Sequence, residues 1–188
     1  MKRLMMASIC LLAACTPEEA RQQAATQATA DASPVERGRY LVSTSGCHDC
    51  HTPKTFGPQG LGLDSSRLLS GHPASEPIPP LPPRGLVGPQ GWGAVGNNHF
   101  TAWFGPWGVS YAANLTPDST GLESWTDSLF IATMRTGRHM GNGRPILPPM
   151  PWFNLAGMTD EDLRAMFAYL QSIPRITNRV PAPQPPGS

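Results

Sequence analysis

The run Gly46-Cys47-His48-Asp49-Cys50-His51-Thr52-Pro53 places two cysteines and two histidines within five consecutive positions, and it constrains the chain more than any other feature. Four such side chains so close together can serve a metal site, a redox-active dithiol, or an anchor for something larger. Choosing among these depends on which other cysteines share the folded part.

The chain has four cysteines in 188 residues, and two of them lie near the N-terminus, which reads MKRLMMASICLLAACTPEEA. Lys2 and Arg3 form a short positive region, Leu4 to Leu12 an apolar stretch, and small residues follow. That is a secretory signal, too short to span a bilayer as a stable helix. Its end, Leu12-Ala13-Ala14-Cys15, resembles the lipobox of bacterial lipoproteins. The resemblance implies a signal peptide over 1–14, with Cys15 acylated as the first residue of the mature chain. An ordinary signal followed by a chance cysteine is the competing reading. Thr16, rather than Asp, follows Cys15 and does not resemble the inner-membrane retention signal, which favours the outer membrane, facing the periplasm. Cys10 leaves with the signal, so Cys47 and Cys50 remain in the folded domain.

Structural zinc would need a second pair of ligands at metal spacing, and His72, His99 and His139 are scattered. A thioredoxin-like dithiol would open a long helix in a βαβ setting, whereas here a helix precedes the pair and Thr52-Pro53 follows it. Cys-x-x-Cys-His is the attachment signature of c-type haem. Two thiols add across the two vinyl groups of the porphyrin, so their separation must match the vinyl spacing. The imidazole directly after the second thiol then reaches the iron. This makes Cys47 and Cys50 the covalent anchors and His51 the proximal ligand, with His48 and Asp49 as spacers. One such motif implies one haem c.

The rest of the composition says what surrounds that site. With 14 basic and 13 acidic residues the formal charge is +1, which argues against nucleic acid as a partner. Twenty-two prolines and 19 glycines require long irregular stretches. Residues 15–33 lack large apolar side chains and read as the lipidated cysteine and a flexible tether spanning roughly 20–25 Å. Ser33, Pro34 and Glu36 form the cap, first position and capping box of a helix that should run out at Gly46. A second helix is expected at about 126–136, ended by Gly137. A third starts after Thr159, with three acidic residues in its first turn and Leu163, Met166, Phe167 and Leu170 on one face; Pro174 stops it.

A helix leading into Cys-x-x-Cys-His and another closing the chain resemble class I cytochrome c. In that family the first and last helices cross near a right angle, with a glycine in the first and an aromatic in the last. Gly38 and Tyr40, against Phe167 or Tyr169, match the pattern. The resemblance covers about 34–176 and implies an all-α cytochrome c fold of three to four helices. An irregular insertion at about 57–112 departs from it, and a Pro-rich tail follows over 177–188.

Class I cytochromes place a methionine sulfur on the far side of the iron, from a loop before the last helix. From Asn114 onward the chain is similar to monohaem domains of electron-donating subunits of bacterial dehydrogenases, and the methionine of their Met-Pro-x segment maps to Met150. Its neighbours Pro148, Pro149 and Pro151 restrict the loop. Met140 is the chief rival, followed by His139 and His99. Met134 and Met166 sit at core spacing, and Met158 precedes the final cap. With both axial positions filled by protein, the iron exchanges only single electrons, so the expectation is an electron carrier with no catalytic residue. It would work alone or as a dehydrogenase subunit, between a periplasmic or membrane dehydrogenase and an oxidase or another cytochrome. The alternative is a haem enzyme or gas sensor with an open or displaceable sixth position. Trp125 and Trp152 are expected either in ordinary core packing or lining the pocket, Arg138 or Arg144 near a propionate, and 70–100 as a docking loop or polyproline ligand. His72 and His99 are expected to be solvated or satisfied polar residues.

Overall fold

The computed structural model describes residues 16–19, 21–22, 33–83 and 85–186. The signal peptide, Cys15 and most of the tether therefore lie outside the described residues. Residues 17–19 and 21–22 are helical; the Thr16 hydroxyl accepts from the Glu19 N–H at 3.3 Å, and the Glu19 carboxylate accepts from the Thr16 N–H at 2.7 Å. They belong to a unit separate from the larger one, Ser33–Ser188.

The larger unit opens with α1, Pro34–Thr44. Ser33 and Glu36 form the reciprocal capping box, so the helix starts where local side-chain chemistry can satisfy its first free N–H groups. Ser45 ends it, and Gly46, at φ +71°, reverses the chain into α2, Cys47–His51. Helix α3 spans Asp127–Thr136, capped by Thr126 and closed by Gly137 in the left-handed region. A single 3-10 turn, His139–Gly141, follows. The short α4, Trp152–Leu155, and α5, Asp160–Ser172, capped by Thr159, complete the helices among the described residues.

Helices α1 and α5 pack at Gly38. A Cβ there would overlap the Ala165 carbonyl oxygen and lie 2.8 Å from the Tyr169 Cβ, so only glycine permits this approach. Arg37 Nε adds an ion pair to Asp162 at 2.9 Å. Tyr40, expected at the crossing, is 58% exposed. Phe167 instead stacks on Phe130 of α3, with ring centroids 5.6 Å apart. Leu41, Val42, Phe130, Met134, Leu163, Met166 and Leu170 form the core, joined by Leu69, Leu122 and Leu155 from outside the long helices.

The fold is not purely all-α. Strands β1, Lys54–Gly57, and β2, Gly60–Leu63, form an antiparallel hairpin. Strands β3, Val95–Gly96, β4, Ala102–Gly105, and β5, Gly108–Tyr111, form a three-stranded antiparallel sheet in that order. Both tight turns use the same device, Gly57-Pro58-Gln59-Gly60 and Gly105-Pro106-Trp107-Gly108. Proline presets the first turn position, and the closing glycines adopt φ +92°. β-branched and aromatic residues flank the turns (Thr55, Phe56, Trp103, Phe104, Val109, Tyr111), so the strands follow. The stretch from 57 to 112 is thus partly sheet rather than irregular throughout.

Candidate functional site

Helix α2 carries Cys47, Cys50 and His51 within one and a half turns. Both cysteines are free and half-buried. Burial pushes the Cys47 thiol up to about 11. Burial also raises that of Cys50, with Asp49 adding and Lys54 and the Trp103 indole opposing.

His51 is buried, and its Nδ1 lies 2.8 Å from the Ala113 carbonyl oxygen. A carbonyl can only accept, so Nδ1 carries the proton and Nε2 keeps its lone pair. Burial holds this imidazole below the ordinary histidine range, against the Ala113 bond, which favours the neutral form. A neutral imidazole oriented by a backbone carbonyl is the arrangement in which Nε2 acts as a metal ligand. Gly71 makes this possible. Its φ is +79°, and a Cβ would fall 2.6 Å from that same Ala113 oxygen. The Gly71 N–H also donates to the His51 carbonyl at 2.8 Å.

Lys54 and Thr52 hold the helix in place. The buried Lys54 ammonium donates to the carbonyls of His48 and Asp49, both at 2.9 Å, and to that of Thr52. A cation at the carbonyl end satisfies acceptors that a five-residue helix leaves open. His48 Nδ1 lies 2.9 Å from the Thr52 hydroxyl, which also accepts from the Leu69 N–H at 2.9 Å. The His48 side chain is thus tied to Thr52, whereas the Lys54 bond reaches Asp49 through its backbone carbonyl. His99 accepts the Lys54 N–H on Nδ1 at 3.1 Å and faces Glu76 through Nε2 at 3.2 Å. It is committed to the hairpin, as is His72 to Thr101 at 2.9 Å.

Met150 is partly buried against the same core cluster that Cys47 touches. Met158 shares that cluster and Met140 does not; Met140 sits in the 3-10 turn at φ +53°. Met134 and Met166 are core residues. Trp125 packs on the core and meets the His139 ring edge-on at 5.1 Å, and the Trp152 ring covers Gly137. Arg138 and Arg144 bond to carbonyls of their own loop, Gly143 at 3.0 Å and Pro145 at 3.3 Å.

No family model matches the chain. Curated relatives do. The chain is 26% identical over 163 residues to the fructose dehydrogenase cytochrome subunit of Gluconobacter japonicus, covering 86% of this chain and 26% of that protein. It is 29% identical over 143 residues to a diheme cytochrome c-type protein of Cereibacter sphaeroides, covering 75% and 36%. It is 28% identical over 136 residues to the gluconate 2-dehydrogenase cytochrome c subunit of Pantoea cypripedii, covering 72% and 22%. These relatives support a cytochrome c-like domain. The chain spans between about a fifth and about a third of their lengths.

The donor set fits a porphyrin held by two thioethers and one imidazole. The thiols are unpaired, His51 presents Nε2, and its tautomer is fixed by the bond to a backbone carbonyl. The residues do not fit tetrahedral zinc, because no three His, Cys, Asp or Glu among the described residues come together as a metal site. Among the described residues no helix is long and apolar enough to cross a membrane.

Proposed function

We propose that this chain is a membrane-anchored electron carrier facing the periplasm, passing single electrons through one c-type haem ligated by His51 and Met150. The observation that carries the reading is the His51–Ala113 bond beside two free thiols, which leaves Nε2 available for iron. A single Cys-x-x-Cys-His run supports one haem, bound through Cys47 and Cys50. Haem supplies a one-electron couple, and thioether ligation raises its potential relative to two imidazoles. The chain's own part is to orient His51, hold Met150 from the proline-rich loop, and keep water from the iron.

The relatives named as dehydrogenase cytochrome subunits support a dehydrogenase as electron donor and another cytochrome or an oxidase as acceptor. Such contacts are small and transient, below about 1,200 Å². Attachment through lipid on Cys15 rests on the N-terminal sequence. It predicts that Cys15→Ala releases the protein from the membrane fraction.

The optical spectrum of the purified ferric protein tests the ligand pair. The weak red sulfur-to-iron band is expected in the wild type and in Met140→Ala, and absent in Met150→Ala. A wild type without that band overturns Met150 as ligand. A high-spin ferric spectrum, with fast carbon monoxide binding after reduction, would replace the carrier with a haem enzyme or gas sensor. Absence of covalent haem on a denaturing gel would overturn the reading altogether.

A further inference from the structure

Ser110 on β5 donates its hydroxyl proton to the Pro148 carbonyl at 2.6 Å, two residues before Met150. The Trp107 indole N–H donates to the same hydroxyl oxygen at 3.2 Å. An indole can only donate, so the hydroxyl accepts there and its own proton is directed to Pro148. The loop it reaches has few means of holding itself. Four of the seven residues 145–151 are prolines and carry no N–H.

Strand β5 is itself fixed on both edges. Strand β4 pairs with one edge, and Gln184 with the other. The Val109 N–H donates to the Gln184 carbonyl at 2.9 Å, and the Gln184 N–H returns to Val109 at 3.0 Å. The Gln184 side-chain amide donates to the Tyr111 hydroxyl at 2.9 Å. Gly108, at φ +92°, allows this approach, because a Cβ there would overlap the Gln184 carbonyl. A continuous chain of bonds therefore runs from the C-terminal segment through β5 to the segment carrying Met150.

We propose that Ser110 is a positioning residue for Met150, and that the β3–β5 sheet with its Gln184 tie braces the methionine loop, setting how readily an outside ligand displaces the sulfur. This rests on Met150 as the sixth ligand. Losing one well-made bond to the loop favours the displaced state by about fivefold. Ser110→Ala also takes the acceptor from the Trp107 indole N–H, in the β4–β5 turn and outside the helical core.

The test uses full-length ferric protein and imidazole as the displacing probe. Ser110→Ala is expected to keep the sulfur-to-iron band and to bind imidazole about fivefold more tightly and faster. Thr44→Ala removes a comparable bond, from Thr44 to the Tyr40 carbonyl at 2.8 Å on α1. It is expected to leave imidazole binding at the wild-type value. Gln184→Pro should raise imidazole affinity in the wild type and add nothing in Ser110→Ala, the coupling expected if the tie acts through Ser110. Unchanged imidazole binding in Ser110→Ala, or an equal rise in Thr44→Ala, overturns the brace while the band still supports Met150. Independent addition of the Gln184→Pro effect overturns the part assigned to the tie. A wild type lacking the band removes the Met150 reading and the brace together.

Discussion

Gly71 stands against Ala113 so closely that a Cβ would lie 2.6 Å from the carbonyl oxygen that His51 uses to fix its tautomer. The glycine's backbone conformation, φ +79°, is itself one that other residues rarely adopt. Packing, backbone strain and imidazole orientation thus meet at one atom.

Gly71→Ala should therefore lose stability twice over, through left-handed strain and through overpacking, by about 2–4 kcal/mol in total. Denaturant unfolding checks this. The same variant should loosen the His51–Ala113 bond, read as broadened or shifted His51 ring nitrogen resonances. A variant with wild-type stability and resonances would mean the chain relaxes around the methyl group.

Lys54 makes three charge-assisted bonds to the carbonyl end of α2. Lys54→Met keeps the length and apolar stem but leaves those carbonyls without a donor. The expected cost is about 2–3 kcal/mol in the unfolding free energy. Lys54→Arg should not rescue it, because a planar fork does not converge on three carbonyls as an ammonium does.

His72 is expected to give the fold a pH dependence. Burial holds its imidazole below the ordinary histidine range, against the Glu76 carbonyl and carboxylate, while nearby His99 lowers it further. Its other close partners, the Thr101 hydroxyl at 2.9 Å and the Tyr111 ring at 5.0 Å, bring no charge at neutral pH. Below about pH 6.5 the unfolded chain binds a proton at His72 that the folded chain resists. The stability it contributes is present above that value and is lost as the pH falls toward the lowered folded value. Wild-type unfolding free energy should drop more steeply between about pH 7 and pH 5 than that of His72→Gln. Equal slopes would show that His72 does not carry the effect.

Parts of this architecture were legible in the sequence because their causes are local. Ser33, Glu36, Thr126, Gly137 and Thr159 bound their helices through caps that need only neighbours. Cys47 to His51 stood out in the sequence because its four Cys and His side chains fall within five consecutive positions. Gly38 was recognisable because a mid-helix glycine invites a close partner, whereas Tyr40 gave no sign that it would face solvent. The strands were missed although Gly57-Pro58-Gln59-Gly60 and Gly105-Pro106-Trp107-Gly108 carried a turn signal that high proline and glycine content obscured. The Ala113 carbonyl left no trace at all, since a backbone acceptor has no side chain to read. Lys54 resembled any surface lysine until the fold turned it beneath α2.

One further consequence lies in Asn178. Its side chain donates to the carbonyls of Ser70 and His72 at 2.7 and 2.9 Å and accepts from the Ala74 N–H at 2.9 Å. Asn114 reaches the same terminal stretch, donating to the Ile176 carbonyl at 2.8 Å. The segments on either side of the His51 clasp are therefore fastened by residues made more than a hundred positions after Ser70. A chain is synthesised from its N-terminus, and contacts this distant form late. Closing the clasp therefore waits on residues synthesised long after Cys47 and Cys50, and a chain truncated before Asn178 is expected to lack these bonds.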